Sequence, residues 1–188
     1  MLITRTLADG MFQLKVSTFE VLKFTTKSAK AETMTELSIG DIAPEINATD
    51  QDGNKLTLAE FRGSKVILYF YPKDSTPGCT AEACNLRDNY GLLLKTGFKI
   101  IGVSADDEKS HKNFIAKNVL PFPLIPDKAK SIIKAYGVWG MKKLYGREYE
   151  GINRMTFVIS EEGRIEKIFK KVDTKNHTEQ ILKEMNIR

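Results

Sequence analysis

The stretch Tyr69-Phe-Tyr-Pro-Lys-Asp-Ser-Thr-Pro-Gly-Cys-Thr-Ala-Glu-Ala-Cys84 decides how the rest of this chain is arranged. It begins at the end of an apolar run, Val66 to Tyr71, which has the length and composition of a buried β-strand. The run breaks at Pro72, and a polar loop leads to Thr76-Pro77, a pair typical of a helix N-cap and first helical position. Cys79 is therefore predicted in the first turn of a helix, where unpaired N–H groups and the helix dipole favour a thiolate.

Cys84 is the only other cysteine, five residues further along the chain. Two cysteines do not make the disulfide framework of a small secreted protein, and a close pair in a reducing compartment indicates redox or metal chemistry. A structural zinc needs four ligands, whereas His111 and His177 are distant in sequence and lie in polar segments that we expect to be solvated. The pattern therefore predicts redox chemistry and no metal.

The composition is that of a globular domain, with 41% hydrophobic and 28% charged residues. No apolar run has the length of a membrane span, so we expect no membrane association. The net charge of +5 comes from 29 basic and 24 acidic residues without a dense basic run. A mixed, solvated surface is the better interpretation of this charge, and we expect no nucleic-acid partner.

Residues 1–33 show no clean periodicity and lack the apolar core and cleavage site of a signal peptide. Met34 resembles a second, better start. We interpret 1–33 as an extension outside the fold, namely a start-site artefact, a leader or a weak targeting segment. The folded domain is predicted to span 34–188.

Predicted strands and helices alternate along this domain and end in a hairpin and a helix, which indicates an α/β sandwich around a mixed sheet. The Cys79 helix is predicted to continue to Gly97. The segment 138–153 holds Trp139, the only tryptophan, and is expected to be a functional loop or a short hairpin. The predicted strands are 45–48 and 55–58, which form an N-terminal β-hairpin, followed by 66–71, 98–104, 122–125, 154–160 and 164–171.

Five polar or conformationally special residues near this stretch or later in the chain each allow two interpretations. Arg154 is either a strand-end cap on the surface or a cation placed beside the thiolate. The Thr76 hydroxyl either caps the helix or contacts both the thiolate and a hydroperoxide. Pro72 either ends the strand or shields the sulfur from water. Glu82 and Arg87 are either favourable charges on the helix or groups that orient other site residues.

The pattern Pro72-x-x-x-Thr76-x-x-Cys79, with a later Arg154, resembles the active-site signature of the peroxiredoxins. The resemblance to the bacterioferritin-comigratory, or peroxiredoxin Q, branch covers about residues 36 to 188, with Ile46 as a small departure where an aromatic is common. The other stretches that carry it are Gly40-Asp-x-Ala-Pro44, Asp50-x-x-Gly53, Phe70-Tyr-Pro-Lys73, Thr76-Pro-Gly-Cys-Thr80, Arg87-Asp88, Tyr136-Gly-Val-Trp139 and Asn176-His177.

This resemblance implies a role for each matching residue. Cys79 resembles the peroxidatic cysteine, which becomes a sulfenic acid, and Cys84 resembles a resolving cysteine that forms a disulfide with it inside one chain. Thr76 and Arg154 resemble the groups that hold the peroxide, and Pro72 resembles the shield of the pocket. Glu82, Arg87 and Trp139 are expected to support the site.

The resemblance also implies a thioredoxin-like fold and a thiol-dependent peroxidase that reduces hydrogen peroxide and organic hydroperoxides. The implied reductant is a thioredoxin or glutaredoxin, and no metal, flavin, haem or other cofactor is needed. We expect a cytoplasmic monomer. Two alternatives remain open at this point. A dithiol–disulfide exchange protein would normally carry Cys-x-x-Cys, and a non-enzymatic holdase with structural cysteines would leave Thr76 and Arg154 unexplained.

The spacing of the two cysteines has a geometric consequence. Five residues along one regular helix put the Cα atoms of Cys79 and Cys84 roughly 8.7 Å apart. A disulfide wants about 4.4–6.8 Å between Cα atoms. We therefore expect the helix to unwind from about Thr80 to Arg87 when the disulfide forms.

Overall fold

The computed structural model describes residues 36–144 and 146–187. The predicted extension, residues 1–33, lies outside these residues. The strands are β1 (Asn47–Thr49), β2 (Lys55–Thr57), β3 (Lys65–Phe70), β4 (Phe98–Ser104), β5 (Leu124–Pro126), β6 (Trp139–Leu144), β7 (Arg147–Ile152), β8 (Met155–Ile159) and β9 (Ile165–Phe169). The α-helices are α1 (Pro77–Asp88), α2 (Tyr90–Lys95), α3 (Glu108–Asn118), α4 (Ser131–Ala135) and α5 (His177–Glu184), and a 3₁₀ turn spans Leu58–Phe61.

The centre of the domain is a five-stranded mixed sheet with the order β5-β4-β3-β8-β9. Strand β3 is its middle strand and pairs in parallel with β4 and antiparallel with β8. Its residues from Val66 onward are at most 1% exposed, because both faces of the sheet are covered. Burial on both faces explains why the apolar run predicted as a strand is continuous and not alternating.

Successive residues of β3 point to opposite faces of the sheet. Leu68 and Phe70 belong to an apolar cluster that includes residues of α4 and of β2. Ile67 and Tyr69 belong to a second cluster, which contains Cys79 and residues of α1, α3 and α5. The expected α/β sandwich around a mixed sheet is confirmed, and Cys79 lies on the second of these two faces.

Two antiparallel hairpins stand beside the central sheet. Strands β1 and β2 pair with Asn47 opposite Thr57, which confirms the N-terminal β-hairpin. Strands β6 and β7 pair with Trp139 opposite Ile152. The Gly-punctuated segment 138–153 is therefore a short hairpin, the second of the two structures expected for it.

The predicted single helix from Pro77 to Gly97 is wrong, because the chain forms two helices with a break at Asn89. The side-chain amide of Asn89 donates a hydrogen bond to the Asn85 carbonyl over 2.9 Å, in competition with the helical backbone bond to that carbonyl. The ψ angle of Asn89 is 11°, outside the helical range. Helix α1 thus ends soon after Cys84.

The expectation of solvated histidines is also wrong, since His111 and His177 are both fully buried. His177 is bonded through Nε2 to the Thr156 hydroxyl over 2.8 Å and through Nδ1 to Gln180 over 3.0 Å. Burial lowers the pKa of His177 to about 4, although the hydrogen bond that its Nδ1 donates to Gln180 Oε1 favours the charged ring. Polar partners from distant segments allow a polar-looking stretch to lie in the core.

Candidate active site

Cys79 lies where the central strand leads into α1. Thr76 occupies the N-cap position and Pro77 the first helical position, as the sequence predicts. The Cys79 side chain is 1% exposed and packs in the same apolar cluster as Tyr69 and Ala83. Its sulfur is therefore almost completely excluded from water. It lies in the first turn of a helix, where the N-terminal dipole favours negative charge.

Arg154 reaches this sulfur from the neighbouring strand. It immediately precedes β8, and the register pairs Phe70 with Met155, so Arg154 is next to the end of β3. Its Nη2 donates to the Cys79 Sγ over 3.1 Å, and its side chain is 20% exposed. This contact favours the interpretation of Arg154 as a cation placed beside the thiolate over that of a strand-end cap.

Glu82 holds the other side of the Arg154 guanidinium. It lies three residues after Cys79 and hence on the same face of α1, and its Oε2 accepts a hydrogen bond from Arg154 Nη1. The Glu82 side chain is fully buried, and Oε1 has no hydrogen-bond partner within 36–144 and 146–187. Burial raises the pKa of Glu82 to about 7, although Arg154 opposes this shift. Glu82 is positioned to orient the arginine.

The Thr76 hydroxyl does not cap the helix, which corrects one of its two interpretations. Its Oγ1 donates to the Lys73 carbonyl over 3.0 Å, and Thr76 makes no side-chain capping bond in the described part of the chain. The hydroxyl proton is thus used inside the loop that precedes α1. The oxygen keeps lone pairs that can accept a hydrogen bond from a hydroperoxide.

Pro72 and Trp139 line a cleft of about 350 Å³ between this loop and the β6–β7 hairpin. Lys142 lines the same cleft and bonds to the Ile152 carbonyl over 2.8 Å. Burial, together with repulsion from Arg154, lowers the pKa of Lys142, while attraction to Cys79 opposes the shift. This second cation was not predicted from the sequence, where its only signal is a position three residues after Trp139. The Trp139 ring also supports Lys130, whose Nζ lies 4.1 Å from its centroid.

Cys84 lies in the same helix as Cys79, as predicted, and both cysteines are free thiols. Cys84 is partly exposed, and its sulfur lies 3.8 Å from Asn118 Oδ1 at the end of α3. Arg87 donates from Nη1 to the Asn118 carbonyl over 2.6 Å and pairs with Asp88. Arg87 is therefore near Cys84, and its hydrogen bonds go to Asp88 and to the Asn118 carbonyl.

The sheet order, the reduced cysteine at the start of the helix after the middle strand, and the arginine on its sulfur together define a thiol-based redox protein of the thioredoxin fold. Comparison with known proteins narrows this class. The AhpC/TSA family model matches residues 39–168. The chain belongs to the AhpC/TSA family, and its relatives lie in the Bcp, or peroxiredoxin Q, branch.

Three relatives illustrate the match. Peroxiredoxin Bcp of Escherichia coli K12 is 42% identical over 149 residues, which cover 79% of this chain and 96% of that protein. Peroxiredoxin Bcp of Bacillus subtilis is 42% identical over 146 residues, covering 78% and 93%. The solved bacterioferritin comigratory protein of Xanthomonas campestris, described with its alkyl peroxide reduction activity, is 37% identical with a TM-score of 0.70, covering 75% and 90%. The family and the thioredoxin-like fold predicted from the motifs are confirmed.

Proposed function

We propose that Cys79 is the peroxidatic cysteine of a thiol-dependent peroxidase that reduces hydrogen peroxide and organic hydroperoxides. The protein is a peroxidase of the oxidoreductase class, as its peroxiredoxin relatives are. The observation that carries the assignment of Cys79 is the 3.1 Å contact between its sulfur and Arg154, at the start of a helix and out of water. Neither simple dithiol exchange nor a holdase function requires this arrangement.

In the peroxide step, the Cys79 thiolate attacks the terminal oxygen of the peroxide. An S–O bond forms as the O–O bond breaks, which gives a sulfenic acid and an alkoxide or hydroxide that takes up a proton. The Arg154 guanidinium stabilises the negative charge that moves from sulfur to the leaving oxygen. The Thr76 oxygen accepts a hydrogen bond from the peroxide, and Pro72 keeps water from the sulfur.

The organic part of a hydroperoxide has room next to this site. The cleft beside Pro72 measures about 350 Å³ and is lined by the apolar side chains of Trp139 and Ile152 as well as by Lys142. The alkyl peroxide reduction described for the Xanthomonas protein supports the same substrate class for this chain.

Cys84 then resolves the sulfenic acid. Its sulfur displaces the hydroxyl group from Cys79 as water, and an intramolecular disulfide forms. A thioredoxin-type reductant, such as a thioredoxin or a glutaredoxin, returns both cysteines to thiols with its own two electrons. We assign Arg87 to this half of the cycle, because it contacts the Asn118 corner beside Cys84.

The enzyme is proposed to act as a monomer in the cytoplasm, without a nucleic-acid or membrane partner and without a cofactor. None of the helices in the described residues is both long and apolar enough to cross a bilayer. The charged residues that give the net charge of +5 are spread over the chain, and the sequence contains no dense basic run.

Two serine variants test the division of labour. Cys79→Ser should abolish peroxide consumption, because the nucleophile is lost. Cys84→Ser should consume about one equivalent of peroxide and then stop, because the sulfenic acid forms but is not resolved. Intact mass after one equivalent of peroxide, with and without a thiol alkylator, distinguishes the sulfenic acid from the disulfide. Equal behaviour of the two variants in a single turnover would overturn the assignment.

A further inference from the structure

Asp74 lies in the middle of the loop 72–76 that leads into α1, and its carboxylate is buried beneath this loop with 5% exposure. Three side chains donate hydrogen bonds to it. The Tyr71 hydroxyl lies 2.8 Å from Oδ1, while the Ser110 hydroxyl and His111 Nδ1 lie 2.7 and 2.8 Å from Oδ2. Ser110 and His111 belong to the first turns of α3, so Asp74 ties the loop to this helix.

The backbone of the loop is held at the same place. The Asp74 N–H donates to Asp106 Oδ2 over 2.9 Å, and the Ser104 hydroxyl donates to that same oxygen over 2.8 Å. The next residue, Ser75, has a φ of 57°, in the left-handed region that costs a non-glycine residue on the order of 1 kcal/mol. The loop is therefore kept in a conformation that it would not prefer on its own.

The charge of this cluster indicates which atoms donate. Burial alone raises the pKa of Asp74, but the hydrogen bonds from His111, Ser110 and Tyr71 outweigh burial, and the pKa lies below its usual range. An ionised carboxylate only accepts hydrogen bonds, so His111 Nδ1 is the donor. The other ring nitrogen, Nε2, is buried with no partner among the residues that the structure describes. The His111 ring thus donates a hydrogen bond to Asp74 through Nδ1, and Nε2 makes no hydrogen bond within the described residues.

We propose that Asp74 and His111 are positioning residues for the peroxide step. They fix the loop 72–76 so that Pro72 and Thr76 face the Cys79 sulfur in the arrangement that binds a peroxide. The Thr76 hydroxyl is bonded to the Lys73 carbonyl within this loop, so any shift of the loop moves the peroxide-binding oxygen as well. This inference rests on the proposed function of Cys79, and neither Asp74 nor His111 touches the peroxide.

The test compares two reactions of the same sulfur. Reaction of Cys79 with a peroxide needs the positioned loop, whereas alkylation by iodoacetamide needs only the thiolate. His111→Phe keeps the ring volume and removes the donor to Asp74, so the second-order rate constant with peroxide should fall about 10- to 100-fold, the size of effect expected from a displaced site group. The alkylation rate should change by less than about threefold. Both rates are measured in the Cys84→Ser background, where Cys79 is the only thiol.

Three further variants sharpen the result. His111→Asn offers an amide donor to Asp74 and should recover most of the peroxide rate. Ser110→Ala removes one of the three bonds and should lower the ratio of peroxide to alkylation rate by a smaller factor. Leu93→Ala removes a buried side chain from the apolar cluster that contains Cys79. It should lower the melting temperature without changing the ratio of peroxide to alkylation rate. If His111→Phe does not fold, Ser110→Ala carries the test alone.

A ratio of peroxide to alkylation rate that stays unchanged in His111→Phe and Ser110→Ala, whether both rates keep their values or fall equally, would overturn the proposal. That result would make the cluster of Asp74, Ser110 and His111 a purely structural one. The failure of the proposed function would look different, because the protein with native Asp74 and His111 would then show no peroxide reaction that depends on Cys79.

Discussion

Each half of helix α1 holds one cysteine, and the surroundings of the two cysteines are opposite. Cys79, in the first turn, is 1% exposed, is packed among apolar side chains and receives a hydrogen bond from Arg154. Cys84, in the second half, is partly exposed, and its sulfur makes a long 3.8 Å contact to Asn118 Oδ1. The first half of the helix is thus held by burial and by a charge, whereas the second half, apart from the buried Ala83 and Leu86, is held by polar contacts near the surface.

The polar contacts of the second half can be exchanged for contacts with water at little cost. Arg87 bonds to the Asn118 carbonyl on one side of the helix. On the other side, Asn85 donates to the Lys175 carbonyl over 2.9 Å and accepts from the Thr178 N–H over 2.8 Å. A helix built in this way can release Cys84 while Cys79 keeps its place, which is what an intramolecular disulfide between them requires.

The largest effect is expected at the first half, from the loss of Arg154. In Arg154→Met, the leaving oxygen and the thiolate lose their cation, so the rate constant with peroxide should fall about 10²- to 10³-fold. Stopped-flow kinetics measures the rate. The matched control is Arg164→Met, because Arg164 also directly precedes a strand but bonds to the Gly40 carbonyl away from the site. Equal rates in the two variants would return Arg154 to the role of a strand-end cap.

A smaller effect is expected from Glu82, and it depends on pH. Burial raises the pKa of Glu82 from 4.5 to about 7 in the folded protein, while the unfolded chain releases this proton near its ordinary value. Between these two pH values the folded state binds one more proton, so the free energy of unfolding falls as pH rises, by about 3 kcal/mol in total. Glu82→Gln does not titrate and should lose this decline.

Urea unfolding of both proteins at pH 4.5, 5.5 and 7 measures this difference. The stability of Glu82→Gln relative to the native sequence should rise across the series by about 3 kcal/mol. The control is Glu184→Gln, because Glu184 is exposed and a hydrogen bond with Lys167 lowers its pKa, so that loss of this carboxylate should give the opposite sign. A constant difference between Glu82→Gln and the native sequence would mean that Glu82 does not titrate in this range.

The parts of this comparison that depend on neighbours in sequence could be predicted from the sequence. The run Val66 to Tyr71 is apolar over a strand length, and Thr76-Pro77 is a local signal for a helix start. Both are properties of a few adjacent residues, and both are confirmed. The distance estimated for Cys79 and Cys84 likewise needed only one regular helix.

The parts that depend on distant partners could not be predicted in this way. The pattern alone left Arg154 with two interpretations, and only the register of β8 against β3 puts it beside the sulfur. His111 was expected in solvent because it stands in a polar segment. Its burial depends on a hydrogen bond with Asp74, 37 residues away in the chain, which the local pattern does not show. The Thr76 hydroxyl is a local exception, because the turn of the loop brings the Lys73 carbonyl, three residues earlier, within its reach and no capping rule predicts that bond.

The smallest effect on the peroxide step is expected at the second half of α1. In the native protein, oxidation should unwind the segment from Thr80 to Arg87, so its amides should exchange with deuterium much faster in the disulfide state than in the thiol state. Strands β3 and β4 should remain protected in both states. Equal protection of the Cys84 segment before and after oxidation, or a disulfide between two chains, would contradict the proposed resolution step.

Arg87→Ala sharpens this prediction, because it removes the 2.6 Å bond to the Asn118 carbonyl while leaving both cysteines in place. A partly exposed bond of this kind contributes about 1 kcal/mol, so the reduced segment should open, and the disulfide should form, about fivefold faster after one equivalent of peroxide. The peroxide step itself should keep its rate, since Arg87 does not reach Cys79. Arg164→Ala is the matched control and should change neither rate. If Arg87→Ala exchanges and forms its disulfide like the native protein, the Asn118 corner does not restrain Cys84.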